Sequence, residues 1–480
     1  MPRYAYERLT ALDNSFLVLE KPNAYMHVAS TMLFEAGPLK RPDGGIDADQ
    51  IRAMIGASLH HIPRYRQRLA WIPFENHAVW VDDENFQLEF HVRHTSLPRP
   101  GSEEQLKRLS ARVMQQHLDR SRPLWEIWIV EGIEKDRFAL ISKVHHCMVD
   151  GVSGVDLMKV LMSLSPDATV PAESPRFMPR PAPSAIELMR HVWMRRASFP
   201  LTALRDLRRL ASEAQDTRQE LFVRLRAAAE TLGATLRSPS PTPLNRPIGP
   251  HRRFDWMAMD LANVKAVRKA FGGSLNDVVL TVVTGAVRRF LERRGVRAQG
   301  LDFRILAPVS VRASDESGAL GNRVSAWVVP LPVGEDDPRE QMKAIAAHTA
   351  QLKDSKSAVG AEVLTGALEW TPSQLLALGA RNVTRLLPFN MVVTNVPGPQ
   401  VPMYMAGARM LEMYPHVPLA DNLGLGIALL SYDGRIFWGF GADYDLVPDL
   451  EDFVAGTREA LAELMRAARP RASTRGATDR

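Results

Sequence analysis

The chain has 480 residues, 45% of them hydrophobic and 24% charged, with a formal net charge of +6 from 60 Lys and Arg against 54 Asp and Glu. That length and apolar share allow two or three domain-sized cores, and no apolar run approaches the ~18 residues of a membrane-spanning helix. A single cysteine, Cys147, excludes an internal disulfide framework and any multi-cysteine metal site.

The start Met1-Pro2-Arg3-Tyr4 lacks the apolar core of a signal peptide, so a reducing cytoplasm is the expected compartment. The charge is mild and no nucleic-acid partner is expected, although the arginines of 190–237 could equally serve anionic lipid surfaces or form ordinary solvated helix faces.

Residues 1–164 mix strand-like and helix-like runs, the pattern of an α/β unit in which helices cover a mixed sheet. Trp125 to Ile133 and Phe138 to Val144 read as a hairpin turned by Glu134-Lys135-Asp136-Arg137. His91 and His94 are expected on the surface of a strand. From Val152 the apolar spacing (Val155, Leu157, Met158, Leu161) is helical, so a strand-to-helix loop must lie between Val144 and Val152.

A connector follows over 165–250. Ser165 to Pro183 is dense in Pro, Ala and Ser, Ser184 to Leu236 is helical in character with a break at Pro200, and Ser238 to Pro250 is again rich in proline. Residues 251–468 return to alternation, with strands at Phe303–Val309, Val324–Leu331, Met391–Val393 and Arg435–Phe440 and helices at Asn276–Arg293, Pro338–Lys353 and Leu450–Ala467. The tail 469–480 is polar and small, a composition that resists folding.

The loop after the hairpin reads His145-His146-Cys147-Met148-Val149-Asp150-Gly151, the pattern HHxxxDG. An imidazole that titrates near neutrality can take a proton from an alcohol as its oxygen attacks a thioester carbonyl. Adjacent residues on an extended backbone point oppositely, so where His146 faces a channel His145 faces the interior. Gly151 suits the close backbone approach where loop becomes helix. Neighbouring histidines diverge and no third ligand cluster stands near, which argues against a metal; Cys147 is better read as a small packed residue than as a nucleophile.

This pattern resembles the active-site signature of chloramphenicol acetyltransferase-like acyltransferases, a group that includes peptide-forming condensation domains. Pro123-Leu124-Trp125, Asn276-Asp277 and Asn395-Val396-Pro397-Gly398-Pro399 resemble elements of the wax ester synthase/diacylglycerol acyltransferase family. Leu12-Asp13-Asn14-Ser15-Phe16, Pro308-Val309-Ser310-Val311-Arg312 and Gly321-Asn322-Arg323-Val324 resemble it too, in the expected order from Leu9 to Ala467.

The resemblance implies an α/β fold of two chloramphenicol acetyltransferase-like mixed-sheet domains joined by a helical linker, with the active-site channel between them. It implies His146 as general base, His145 as support for the loop, and Asp150 as a structural anion paired with Arg312. Asn276, Thr394 or Asn395 could supply oxyanion donors, though a helix cap at Asn276-Asp277 and a rigid turn at Pro397-Gly398-Pro399 explain those segments as well. Trp125 reads as strand packing or as a tunnel wall. Acyl-CoA is the implied co-substrate, with no bound cofactor. A hydrophobic alcohol, diacylglycerol or a long-chain alcohol, is the implied acceptor, and peripheral contact with the inner membrane face or lipid inclusions would deliver it. A lipid-binding protein without turnover, or a condensation-like enzyme, is the competing reading.

Overall fold

The hairpin forms as two antiparallel strands, Trp125–Ile133 and Arg137–His145, turned through Lys135 and Asp136, both in the left-handed region with φ of 63° and 52°. Positive φ at both central positions gives a turn whose twist matches that of the strands it joins. The computed structural model describes residues 6–75, 77–148, 160–167, 176–194, 238–310, 324–354 and 388–469.

The hairpin lies inside the first of two six-stranded mixed sheets. Its spatial order is Tyr404–Met405, Ala408–His416, His27–Glu35, Arg137–His145, Trp125–Ile133 and Val92–Ser96. Only the last pair is parallel. Two strands of this sheet therefore come from the far end of the sequence.

The second sheet runs Val324–Leu331, Phe303–Ser310, Met391–Pro397, Leu425–Tyr432, Arg435–Asp443, Arg252–Asp260, with Met391–Pro397 parallel to both its neighbours. Helices Leu261–Phe271, Leu275–Arg293, Pro338–Asp354 and Leu450–Ala467 pack beside it around one hydrophobic core. Leu275–Arg293 buries most of its circumference, from Asp277 through Val287, as a core helix should. No single described helix is long and apolar enough to cross a membrane; Leu261–Phe271 and Leu275–Arg293 pass that test only jointly, and they are bent by 98°.

Two mixed-sheet domains with connecting helices are thus the architecture. Within the connector, the described helix over 185–194 seats Leu188 against Ile72, Val79 and Val81. Those residues belong to a third, three-stranded sheet, Tyr6–Arg8, Ala78–Asp82 and Gln67–Trp71, and to the loop beside it.

The two large sheets meet across the Ala408–His416 strand. Tyr414 stacks on Trp256 with ring centroids 4.6 Å apart, and His416 stacks on Phe254 at 3.4 Å. Burying each such aromatic is worth roughly 1.5–3 kcal/mol. The contact reaches backbone level at Gly439, where a Cβ would stand 1.8 Å from the Pro415 carbonyl oxygen, so only glycine fits.

Candidate active site

The strand Arg137–His145 ends by handing over to a single helical turn, His146–Met148. Two backbone bonds fix that junction: His145 N–H donates to Leu124 O at 2.9 Å and His146 N–H to Met26 O at 2.7 Å. The rings then part company. His145, opposite His27 in the sheet register, is buried, whereas His146 is half-buried.

His146 lies against Phe16, ring centroids 3.9 Å apart and 24° from parallel. Phe16 is carried by the helix Ala11–Leu19, whose first turn is closed by Thr10 Oγ1 accepting from Asp13 N–H at 3.1 Å. Burial pulls the His146 imidazole down to about 4, so the ring stays neutral at pH 7. Its Nδ1 is buried without a hydrogen-bond partner among the described residues. A neutral imidazole keeps one ring nitrogen without a proton and is chemically equipped to accept one.

Behind the motif sits a buried ionic cluster that the sequence reading missed. Glu20, the residue that ends the Ala11–Leu19 helix, directs its Oε1 at His27 Nε2 (3.4 Å) and His117 Nδ1 (3.5 Å). Its Oε2 meets His145 Nε2 at 3.5 Å and accepts from Arg120 Nε at 3.1 Å and from Arg120 Nη2. Burial alone would raise the Glu20 carboxyl, but its His145, His27 and Arg120 contacts reverse that and hold it well below the usual carboxylate range. Burial also lowers His27, to about 4. A lone carboxylate after a short helix carries no motif, and His27, at the start of a strand that also holds Ser30, Thr31 and Glu35, gives no stronger signal.

Lys143, two residues before His145 and on the same face, is fully buried. It pairs with its cross-strand neighbour Glu126 at 2.5 Å and donates to Val113 O (2.8 Å) and Gln116 O (2.9 Å) at the end of the helix Glu103–Met114. A cation at a helix C-terminus also meets the negative end of the helix dipole.

Cys147 is buried, its N–H donates to His145 Nδ1 at 3.2 Å, and burial pushes its thiol well up, which leaves an unreactive packed residue. Trp125 is buried too: Nε1 donates to Tyr65 O at 2.8 Å, and its ring stacks on His91 at 4.6 Å. The surface position expected for His91 is therefore corrected. Leu88–His91 forms a helical turn that points the imidazole inward, where Nδ1 lies 2.8 Å from Trp125 O. His94 is exposed.

In the second domain, Ser274 is the N-cap of Leu275–Arg293 and Asp277 completes a capping box with it; Asp277 Oδ1 also accepts from Thr349 Oγ1 at 2.7 Å. Asn276 lies between them in the first helical turn, half-buried. Thr394 is paired in register with Ala428 and Asn395 with Leu429. Met391, Val393 and Leu429 belong to the helix-covered core, while Leu430 belongs to the core shared with the first sheet. By alternation Thr394 stands on the face turned toward the first domain and Asn395 on the opposite one. Among the described residues no hydrogen bond, ion pair or ring contact joins Asn276, Thr394 or Asn395 to His146. Asp150, Gly151 and Arg312, and with them the expected Asp150–Arg312 pair, lie outside the described residues.

Residues 9–279 match the family model for the wax ester synthase/diacylglycerol acyltransferase catalytic domain, and residues 320–465 match that for its C-terminal domain. A candidate diacylglycerol O-acyltransferase of Mycobacterium tuberculosis is 34% identical over 96% of this chain and 90% of its own. Another, from Mycobacterium bovis, is 31% identical over 97% of each. Among solved structures, the wax ester synthase/diacylglycerol acyltransferase of Marinobacter aquaeolei VT8 has a TM-score of 0.67 at 25% identity, covering 96% of this chain and 99% of that one. The first condensation domain of the calcium-dependent antibiotic synthetase shares the fold, with a TM-score of 0.59 at 12% identity over 97% and 96% of the two chains. The chain therefore belongs to the wax ester synthase/diacylglycerol acyltransferase family of acyltransferases.

Proposed function

We propose that this protein esterifies a hydrophobic alcohol from acyl-CoA, converting diacylglycerol to triacylglycerol, long-chain alcohols to wax esters, or both. The observation that carries the reading is His146: a neutral, half-buried imidazole at the end of the motif strand, seated on Phe16. His146 takes the hydroxyl proton as the oxygen attacks the thioester carbonyl. The tetrahedral intermediate expels the CoA thiolate, which recovers the proton from His146, leaving an ester and free CoA. An oxyanion donor from the second domain completes the site, and Thr394, on the face toward the first domain, is better placed for it than Asn395. The reacting groups meet in a channel between the domains, in the chloramphenicol acetyltransferase-like manner that the motif implies.

The acceptor is a lipid, and the connector offers a surface for reaching it. On the described helix over 185–194, Ile186 and Trp193 are exposed beside Arg190, the combination of apolar anchor and basic charge that favours an anionic lipid interface. Sedimentation with anionic vesicles that is unchanged after deletion of 185–236 would sink this part of the proposal. Localisation follows from it: cytoplasmic, with peripheral contact to the inner membrane face or lipid inclusions.

The deciding experiment is release of CoA from palmitoyl-CoA with dioleoylglycerol or hexadecanol as acceptor, native chain against His146→Ala. A loss of about 10² or more is expected from removing a general base. Full activity in the variant refutes the base, and inactivity of the native chain with both acceptors refutes the substrate class.

A further inference from the structure

The cluster behind the motif poses a physical question: why a carboxylate with only 5% of its side chain exposed is kept among three histidines. Burying a charge is costly unless it is paired. Arg120 supplies the pairing, yet an apolar residue in place of Glu20 would need none.

We infer that Glu20 is a positioning residue for acyl transfer: it fixes the tautomer of His145, and His145 in turn fixes the turn from which His146 projects. The inference rests on His146 being the base. Cys147 N–H donates to His145 Nδ1 at 3.2 Å, which requires a lone pair on that nitrogen. The proton of the neutral ring is then on Nε2, and Nε2 faces Glu20 Oε2 at 3.5 Å. His145 is thus a strut between a carboxylate on one side and the backbone of residue 147 on the other. Residue 146 lies within that span.

The same helix end reaches His146 directly. Phe16, whose ring His146 stacks on, lies one turn before Glu20, and Glu20 N–H donates to Phe16 O at 3.1 Å. Arg120 clamps the unit from outside, donating to the Leu17 carbonyl at 3.1 Å as well as to Glu20. His27 and His117 face the other carboxylate oxygen, at 3.4 and 3.5 Å, and keep the carboxylate from rotating away. One helix terminus therefore reaches both rings of the motif, one by stacking and one through the 3.5 Å approach of a carboxylate oxygen to His145 Nε2. A base displaced by an ångström loses much of its rate while substrate binding is spared.

The test combines kinetics with imidazole ¹⁵N spectra at pH 7.5, His145 being assigned by its absence from His145→Gln. In the native chain His145 should carry its proton on Nε2. Glu20→Ala should lose that tautomer and lower kcat by about tenfold to a hundredfold, with KM for palmitoyl-CoA within about twofold. Glu20→Gln, which still offers Nε2–H an acceptor, should keep the tautomer and hold kcat within about fivefold of native. A proton on Nδ1 in the native chain, or native kcat in Glu20→Ala, overturns the inference, as does a Glu20→Gln chain that keeps the tautomer but is as slow as Glu20→Ala. If Glu20→Ala does not fold, Glu20→Gln decides alone: tautomer and rate both kept support the inference, and loss of either overturns it. Full activity of His146→Ala would remove the base assignment instead, and leaves the His145 tautomer unaffected.

Discussion

Replacing Lys143 by Met removes a buried cation from three partners at once. Glu126, 7% exposed, loses its 2.5 Å partner, and the carbonyls of Val113 and Gln116 lose their charged donor. Breaking a buried ion pair from one side costs about 3–5 kcal/mol, because the remaining charge stays desolvated. Arg93, whose Nη2 lies 3.4 Å from Glu126 Oε2, softens that penalty and places the expected loss near 3 kcal/mol. A 480-residue chain unfolds with an entropy of roughly 1 kcal/mol/K, so the melting temperature should drop by about 3 °C. Adding Glu126→Leu should recover most of the drop, since an apolar pair of similar size leaves no orphan charge. Scanning calorimetry on native, single and double variants reads both effects. A single variant that melts within a degree of native, or a double variant no better than the single, would show that the pair does not hold the helix Glu103–Met114 to the sheet.

Two further predictions concern protons. Because burial holds His146 at about 4, the proposed base remains unprotonated as the pH falls below 6.5, and the acid limb of kcat/KM should lie well below the ordinary histidine value; a limb at 6.5 or above contradicts that proposal. His416, stacked on Phe254 and 3.1 Å from Thr31 Oγ1, is lowered by burial to about 3. The unfolded chain therefore binds the proton first: the stability from its neutral form is complete above about pH 6.5 and is lost as pH falls toward 3, on the order of 5 kcal/mol in all. His27, at about 4, acts in the same window. Urea midpoints of His416→Gln should fall less steeply between pH 6.5 and 4 than those of the native chain, and parallel slopes would count against the assignment.

Periodicity proved a good guide to elements and a poor one to their partners. Val324–Leu331 and Leu450–Ala467 form over the spans their alternation and helical spacing predict, and Met391–Val393 extends to Pro397. Alternation identifies the face a strand buries but not the strand beside it, so nothing in Ala408–His416 announces that it pairs with His27–Glu35. The same limit explains His91: the run around it reads as a surface strand, and only the helical turn that folds it onto Trp125 shows otherwise. The histidine motif was legible because its residues are contiguous. Glu20, Arg120, His27 and His117 meet only in space.

The pairing of Thr31 with Tyr414 spans roughly 380 residues of sequence. At ribosomal speeds of about 5–20 residues per second, the His27–Glu35 strand waits some 20 to 80 seconds for its neighbour. Throughout that interval its hydrogen-bonding edge stands open, in a segment that includes Met32, Leu33 and Phe34. The sheet that carries the histidine motif is thus completed only once Ala408–His416 has emerged, although its first strands emerge early. Nascent chains should therefore depend on something to shield that edge, and a cut between the two domains would leave it permanently unsatisfied.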